Sequence, residues 1–241
     1  MSTAPSSSHD VVPDELRSTW PQRAWTLAGS AAILATLVTS ARLVAASGSA
    51  STDMLAAAVA AFAGYSLADL TTGVYHWSID NYGDAETPVF GAQIVAFLDH
   101  HVHPSVITRL EPCNNLHVVA GAVAVALPAA GAALSVRGSP AAAHAFACAF
   151  AACIMLSVQF HAWAHERRSR LPLGVAALQD AGVLVSRSQH AVHHRPPYNS
   201  NYCTVSGMWN PVLDGCKVFE AAEKVIYLAT GVQPRSWGMK T

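Results

Sequence analysis

Eight of the twelve histidines fall into four short motifs. His76 and Asp80 stand four apart in YHWSID, and His100 and His101 are adjacent in LDHHVHP. His161 and His165 stand four apart in QFHAWAHE, and His190, His193 and His194 occupy i, i+3 and i+4 in SQHAVHH. Imidazole is the commonest side-chain metal ligand. Helical spacings of three and four put two rings on one face, about 5–6 Å apart at Cβ, as chelation requires. Eight imidazoles exceed the three or four that a zinc site takes and suit two ions with about four ligands each. There is no H-E-x-x-H; Glu166 follows both histidines of HAWAHE and cannot take a metalloprotease's general-base position between them.

The elements that must carry these motifs are apolar. The chain has 241 residues, 52% hydrophobic and 12% charged, against about 25% charged in soluble domains. Its net charge of −1 gives no electrostatic case for a nucleic-acid partner. The five cysteines form no C-x-x-C pair and fit neither a disulfide framework nor a zinc ribbon. Residues 1–23 are polar and read as a flexible tail, followed by one membrane domain over 24–241. No signal-peptide or Arg-rich transit pattern precedes the first apolar stretch, which fits a mature or truncated form of a longer precursor.

Four stretches, 24–46, 54–79, 116–136 and 141–160, are each long enough to cross a hydrocarbon core of about 30 Å. Their alanine and glycine content suits close helix contact in lipid. Residues 171–186 are apolar but short, and read as a helix lying at the interface. The expected fold is therefore an all-α integral membrane protein of about four spans with an added interfacial helix. Twelve of the fourteen lysines and arginines then share one side, the cytosolic or stromal one by the positive-inside bias. All four histidine motifs lie on that same side, although hydropathy and charge set the topology and histidine spacing alone sets the motifs.

A nitrogen-rich donor set admits iron, zinc, copper or nickel. Soluble di-iron bundles use mainly glutamates, and few lie near these motifs. Two ions beside lipid favour iron and dioxygen chemistry: removal of hydrogen from an unactivated methylene, which no amino-acid side chain can attack. Loss of the neighbouring hydrogen gives an alkene, and hydroxyl transfer gives an alcohol. A non-enzymatic membrane metal carrier is the reading of another class, although Asp69 is the one charged residue inside the spans that transport could use.

The strings LRSTWPQRAW, ADLTTGVYHWSIDNYGD, FHAWAH, LQDAGVLVSRSQHAVHHRPPYNSNYC, SGMWN and VQPRSW resemble a family of membrane lipid desaturases. That family includes plasmanylethanolamine desaturases and plant plastid palmitate desaturases, and the resemblance runs from about Leu16 to Trp237. It implies two iron ions ligated by His76, His100, His101, His161, His165, His190, His193 and His194, with O2 as co-substrate. It further implies a plastid membrane, the palmitoyl chain of phosphatidylglycerol as substrate, and a trans double bond at the third carbon. An ether-lipid desaturase and a lipid hydroxylase are the near alternatives. No H-P-G-G heme motif is fused to the chain, so electrons must come from a separate donor, ferredoxin by resemblance.

Asp80 is expected as a ninth ligand or as a partner orienting an imidazole. Asp69, Asp99 and Asp180 are further candidates for that orienting role; for Asp69 a structural hydrogen bond between helices competes. His117, beside Asn114 and Asn115, is a candidate headgroup contact or water-bridged ligand. Arg167, Arg168 and Arg170 are candidates to hold an anionic headgroup, and Tyr198, Asn199 and Asn201 to shape a substrate mouth. His9, His103 and His144 are set apart from the site.

Overall fold

A computed structural model describes residues 14–238, and every regular element among them is helical. In chain order these are α1 (Trp20–Ala45), α2 (Ala50–Asn81), α3 (Gly91–Val102), α4 (Pro112–Val136), α5 (Ala141–His165), α6 (Val175–Asp180), α7 (Arg187–His193), α8 (Asn210–Gly215) and α9 (Val218–Thr230). Helices α1, α2, α4 and α5 are, among the described residues, the four that are long and apolar enough to cross a membrane, and they coincide with the four stretches expected from sequence, α1 ending one residue short of the first. They carry Leu34, Leu37, Met54, Leu55, Val59, Phe62 and Val125 exposed on their outer faces. Apolar residues on the outside as well as the inside are what a lipid surround demands, since backbone groups are satisfied within each helix.

The bundle is knit by α2 against α5, α1 against α4 and α5, and α4 against α5. Its centre is an apolar cluster of Ala120, Val123, Leu127, Ala151 and Met155, with Ala32 and Ile33 packed on it. At the α2–α5 crossing the helices approach so closely that a Cβ on Gly64 would stand 2.5 Å from the Phe146 carbonyl oxygen. Small residues at such crossings are how helices associate in lipid, where hydrophobic burial gives no bias.

Helix α2 is 32 residues long, about 48 Å at 1.5 Å per residue. That exceeds the hydrocarbon thickness, so its last turns, carrying His76 and Asp80, project beyond the span. The projecting end is wrapped by the C-terminal segment. Trp77 stacks on Phe219 of α9 with ring centroids 5.0 Å apart, and Trp77 Nε1 donates to Glu223 at 3.1 Å. Arg235 donates to the carbonyls of Asp80 and Tyr82 at 3.1 and 3.3 Å and to that of Gly83, capping the orphan C-terminal carbonyls of α2.

Two expected boundaries move. The flexible tail was read over 1–23; residues 1–13 lie outside the described residues, but 14–23 are ordered. Asp14–Leu16 is a 3-10 turn, and α1 starts at Trp20 behind a Thr19–Gln22 capping box with Pro21 in the first turn. Glu111 at the head of α4 accepts from Ser18 N–H at 2.9 Å and from Arg23 at 3.3 Å, which docks the segment. The interfacial helix expected over 171–186 shrinks to the six residues of α6. Gly174 and Gly182, with φ of 84° and 70°, turn the chain at either end of it.

Candidate metal centre

The ends of α2 and α5 bring His76, Asp80, His161 and His165 to one end of the bundle, where α3 adds His100 and His101 and α7 adds His190 and His193, with His194 at its C-cap. All nine side chains meet there in two groups. His100, His161, His165, His190 and His194 form one, and His76, Asp80, His101 and His193 form the other; within each, the candidate ligand atoms all lie within 4.8 Å of one another. The two adjacent pairs are split between them: His100 and His194 serve the first group, His101 and His193 the second. Neighbouring residues on a helix point about 100° apart, so each pair straddles the wall between the groups. The ring centroids of His101 and His194 are 5.1 Å apart, which makes the groups adjoining rather than separate sites.

The separations suit shared ions. Nε2–Nε2 distances are 2.9 Å for His100–His165, 3.2 Å for His161–His165, 3.1 Å for His190–His194 and 2.9 Å for His101–His193. Nitrogens held about 2.1 Å from one ion at right angles stand about 3.0 Å apart. Asp80 makes the case more strongly. Its Oδ2 is 3.3, 3.4 and 3.6 Å from Nε2 of His193, His76 and His101. Both its oxygens and His76 Nε2 are buried without a hydrogen-bond partner. A buried carboxylate left so is costly unless a cation compensates it, and a cation among these four donors would satisfy all the orphaned atoms.

The loop after α7 fixes the rings. His76 Nδ1–H donates to the Tyr202 carbonyl at 3.0 Å and His193 Nδ1–H to the Ser200 carbonyl at 2.9 Å, which leaves each Nε2 lone pair facing the site. The Tyr198 ring stacks on His101 at 4.7 Å. Burial, and then the nearby His165 imidazole, pushes His100 down to about 2. Burial takes His101 to about 4 although Asp80 pulls it back up. His190 and His194 are lowered well below their ordinary value, by burial first and then by His193 and His165 respectively. Neutral imidazoles are the ligating form.

Comparison with known proteins places the chain in a family. The family model described as "Lipid desaturase domain" matches residues 65–237, which holds every one of these nine side chains. The chain belongs to the lipid desaturase family. It is 52% identical over 220 residues to Arabidopsis thaliana "Fatty acid desaturase 4, chloroplastic", covering 91% of this chain and 65% of that relative's length. It is 33% identical to the Myxococcus xanthus plasmanylethanolamine desaturase (71% of this chain, 61% of the relative) and 31% identical to mouse plasmanylethanolamine desaturase 1 (74% and 68%). No solved structure matches.

Four residues expected to support this centre stand elsewhere. Asp69 is fully buried in α2 and touches no imidazole; its Oδ1 accepts from the N–H groups of Val205, Ser206 and Gly207 at 2.8–3.1 Å and its Oδ2 from Trp209 N–H at 3.3 Å. It is the anchor of the loop, not a partner of the rings. Asp99 is exposed and pairs with His103 Nδ1 at 3.0 Å, since it points from α3 away from the bundle. Asp180 is exposed, bound by both terminal nitrogens of Arg168 at 2.6 and 2.7 Å, and belongs to neither donor group. His117 Nδ1 bonds the Asn114 carbonyl one turn back, within α4, and belongs to neither donor group. Of the histidines set apart, His9 lies outside the described residues; His144 is buried toward the other end of α5, with Nδ1 unpartnered.

Sequence reasoning missed the carbonyls of Ser200 and Tyr202, because a backbone acceptor leaves no mark in residue type. It also missed Asn81, whose amide holds the Tyr202 hydroxyl at 3.1 Å and so steadies that loop. The i+5 step from Asn81 back to His76 carries no helical-face signal.

Proposed function

We propose that the chain is a two-metal, oxygen-dependent desaturase acting on the acyl chain of a membrane lipid. The observation that carries the reading is the pair of adjoining donor groups, one of five imidazoles and one of three imidazoles with a carboxylate, at one end of four membrane-length helices. Five imidazoles exceed the four donors of a structural zinc site, and imidazole nitrogen suits iron. Bound iron would supply oxygen activation and the removal of hydrogen from an unactivated methylene. The chain's own residues do the rest. Ser200 and Tyr202 hold two rings in the ligating tautomer, Asp80 supplies the anionic donor, and the wrap of α9 over the end of α2 keeps water from that side.

For substrate, similarity to a chloroplastic fatty acid desaturase supports a fatty acyl chain, and the family resemblance of the sequence motifs implies the palmitoyl chain of phosphatidylglycerol, desaturated at the third carbon with trans geometry. The chloroplastic relative supports a plastid membrane, the basic-side bias a histidine face toward the stroma, and the family resemblance implies ferredoxin as electron donor. Similarity to the plasmanylethanolamine desaturases favours a second substrate, an alkyl ether lipid. The test is the lipid profile of a host containing phosphatidylglycerol, expressing either the intact chain or His161→Ala. A phosphatidylglycerol with a new carbon–carbon double bond in its ester-linked acyl chain, made only by the intact chain with about two iron ions per chain, is the expected result. A vinyl ether would move the reading to ether lipids, and an alcohol to hydroxylation. One zinc per chain with unchanged lipids would sink it.

A further inference from the structure

A cavity of about 130 Å³ opens directly beside the five-histidine group, lined by Pro104, Ala164, His165, Arg187, Ala191 and His194. Two of its walls are alanines, on α5 and α7, which leave room where larger side chains would fill it. Arg187 is the only charged residue in this lining. Arg187, His190, Ala191 and His194 stand at i, i+3, i+4 and i+7, a single stripe along α7. The guanidinium therefore lies one turn from one candidate ligand and on the same face as another. Three other arginines near this end are engaged, Arg168 with Asp180, Arg23 with Glu111, and Arg235 with the carbonyls that end α2, and Arg167, Arg170 and Arg195 do not line the cavity. Arg187 is exposed and donates to no acceptor among the described residues.

We propose that Arg187 is the positioning residue that grips the phosphodiester of a glycerophospholipid substrate and so brings a methylene near the ester to the five-histidine group. The inference rests on the desaturase reading above. A guanidinium presents paired donors that match a phosphate's oxygens, and a cation at the mouth of a cavity attracts such an anion. The third acyl carbon is much nearer the phosphate along the lipid than a mid-chain carbon is, so a clamp beside the centre would select carbons near the carbonyl and leave mid-chain carbons out of reach. A reaction at mid-chain would need the headgroup held much further away.

The test compares the intact iron-loaded chain with Arg187→Gln and Arg187→Lys in detergent, using native mass spectrometry to read bound lipid. The probes are dipalmitoyl phosphatidylglycerol, dipalmitoylglycerol (the same chains without phosphate) and inorganic phosphate as competitor. Arg187→Gln should weaken phosphatidylglycerol retention about tenfold, Arg187→Lys should recover part of it, and all three proteins should hold dipalmitoylglycerol equally weakly with unchanged iron. In turnover, KM should rise while kcat changes little. Equal retention of phosphatidylglycerol by Arg187→Gln would overturn the proposal. So would equal retention of the two lipids by the intact chain, or displacement of the lipid by inorganic phosphate at matched concentration. An intact chain that holds the phospholipid through Arg187 yet forms no alkene would instead remove the desaturase reading and leave the clamp standing.

Discussion

Asp69→Asn tests whether a buried acid in the second span acts on the metal centre through the backbone. The substitution keeps size and shape but replaces an acceptor-only carboxylate with an amide. Asp69 takes four backbone N–H groups from residues 205–209, three on one oxygen and one on the other. A hydrogen bond to a charged acceptor is stronger than one to a neutral acceptor by about 1 kcal/mol. The three that share Oδ1 do not add in full, and the Asn NH2 would oppose Trp209 N–H, a donor facing a donor. The net loss is therefore about 3 kcal/mol. For a chain of this size that is a drop of about 6–12 °C in melting temperature, read by thermal unfolding in micelles. The loop so released carries the Ser200 and Tyr202 carbonyls that orient His193 and His76. Metal should thus be lost first from the group containing Asp80, toward about half the intact content after dialysis. A variant that melts with the intact chain and keeps all its metal would refute the anchoring argument. Normal melting with lost metal would instead return Asp69 to a direct role at the centre.

The two donor groups predict separable losses. Asp80→Asn removes the single anionic donor from one group and His161→Ala one of five imidazoles from the other, so elemental analysis should show Asp80→Asn the more depleted, with activity lost in both. Asp99→Asn and Asp180→Asn break only exposed pairs and should each change stability by less than about 0.5 kcal/mol with full metal content; a metal deficit in either would place it at the site after all. Gly64→Val would drive side-chain atoms into the Phe146 carbonyl and should lower the melting temperature by about 4 °C or more, measured in the same micelles, while a neutral effect would mean that α2 and α5 do not cross there. Acid should unfold the metal-stripped chain. His100, His101, His190 and His194 are held neutral when folded and charge when unfolded, so stability falls as pH drops below about 6.5. Circular dichroism that stayed flat from neutral pH to pH 4 would contradict their burial.

The spans, the motifs and the shared side of the membrane are features of the chain alone. Apolar runs between charged loops declare a span wherever they occur, because lipid tolerates little else, and His161–His165 or His190–His194 share a face by helical geometry whatever the helix packs against. An even number of spans then puts every motif at one end. Tertiary structure decided how the histidines divide. His100 and His101, or His193 and His194, part company only because α3 and α7 are rotated so that the wall between two donor groups passes between neighbours, and no local spacing encodes that rotation. It also decided the fate of the acids: Asp69, Asp99 and Asp180 are all candidates for orienting an imidazole, yet one meets four backbone donors, one a surface histidine and one an arginine. Asp80 alone arrives among three imidazoles with no donor of its own. Residue type states what a side chain can bind, and the packing of distant segments settles what it is given.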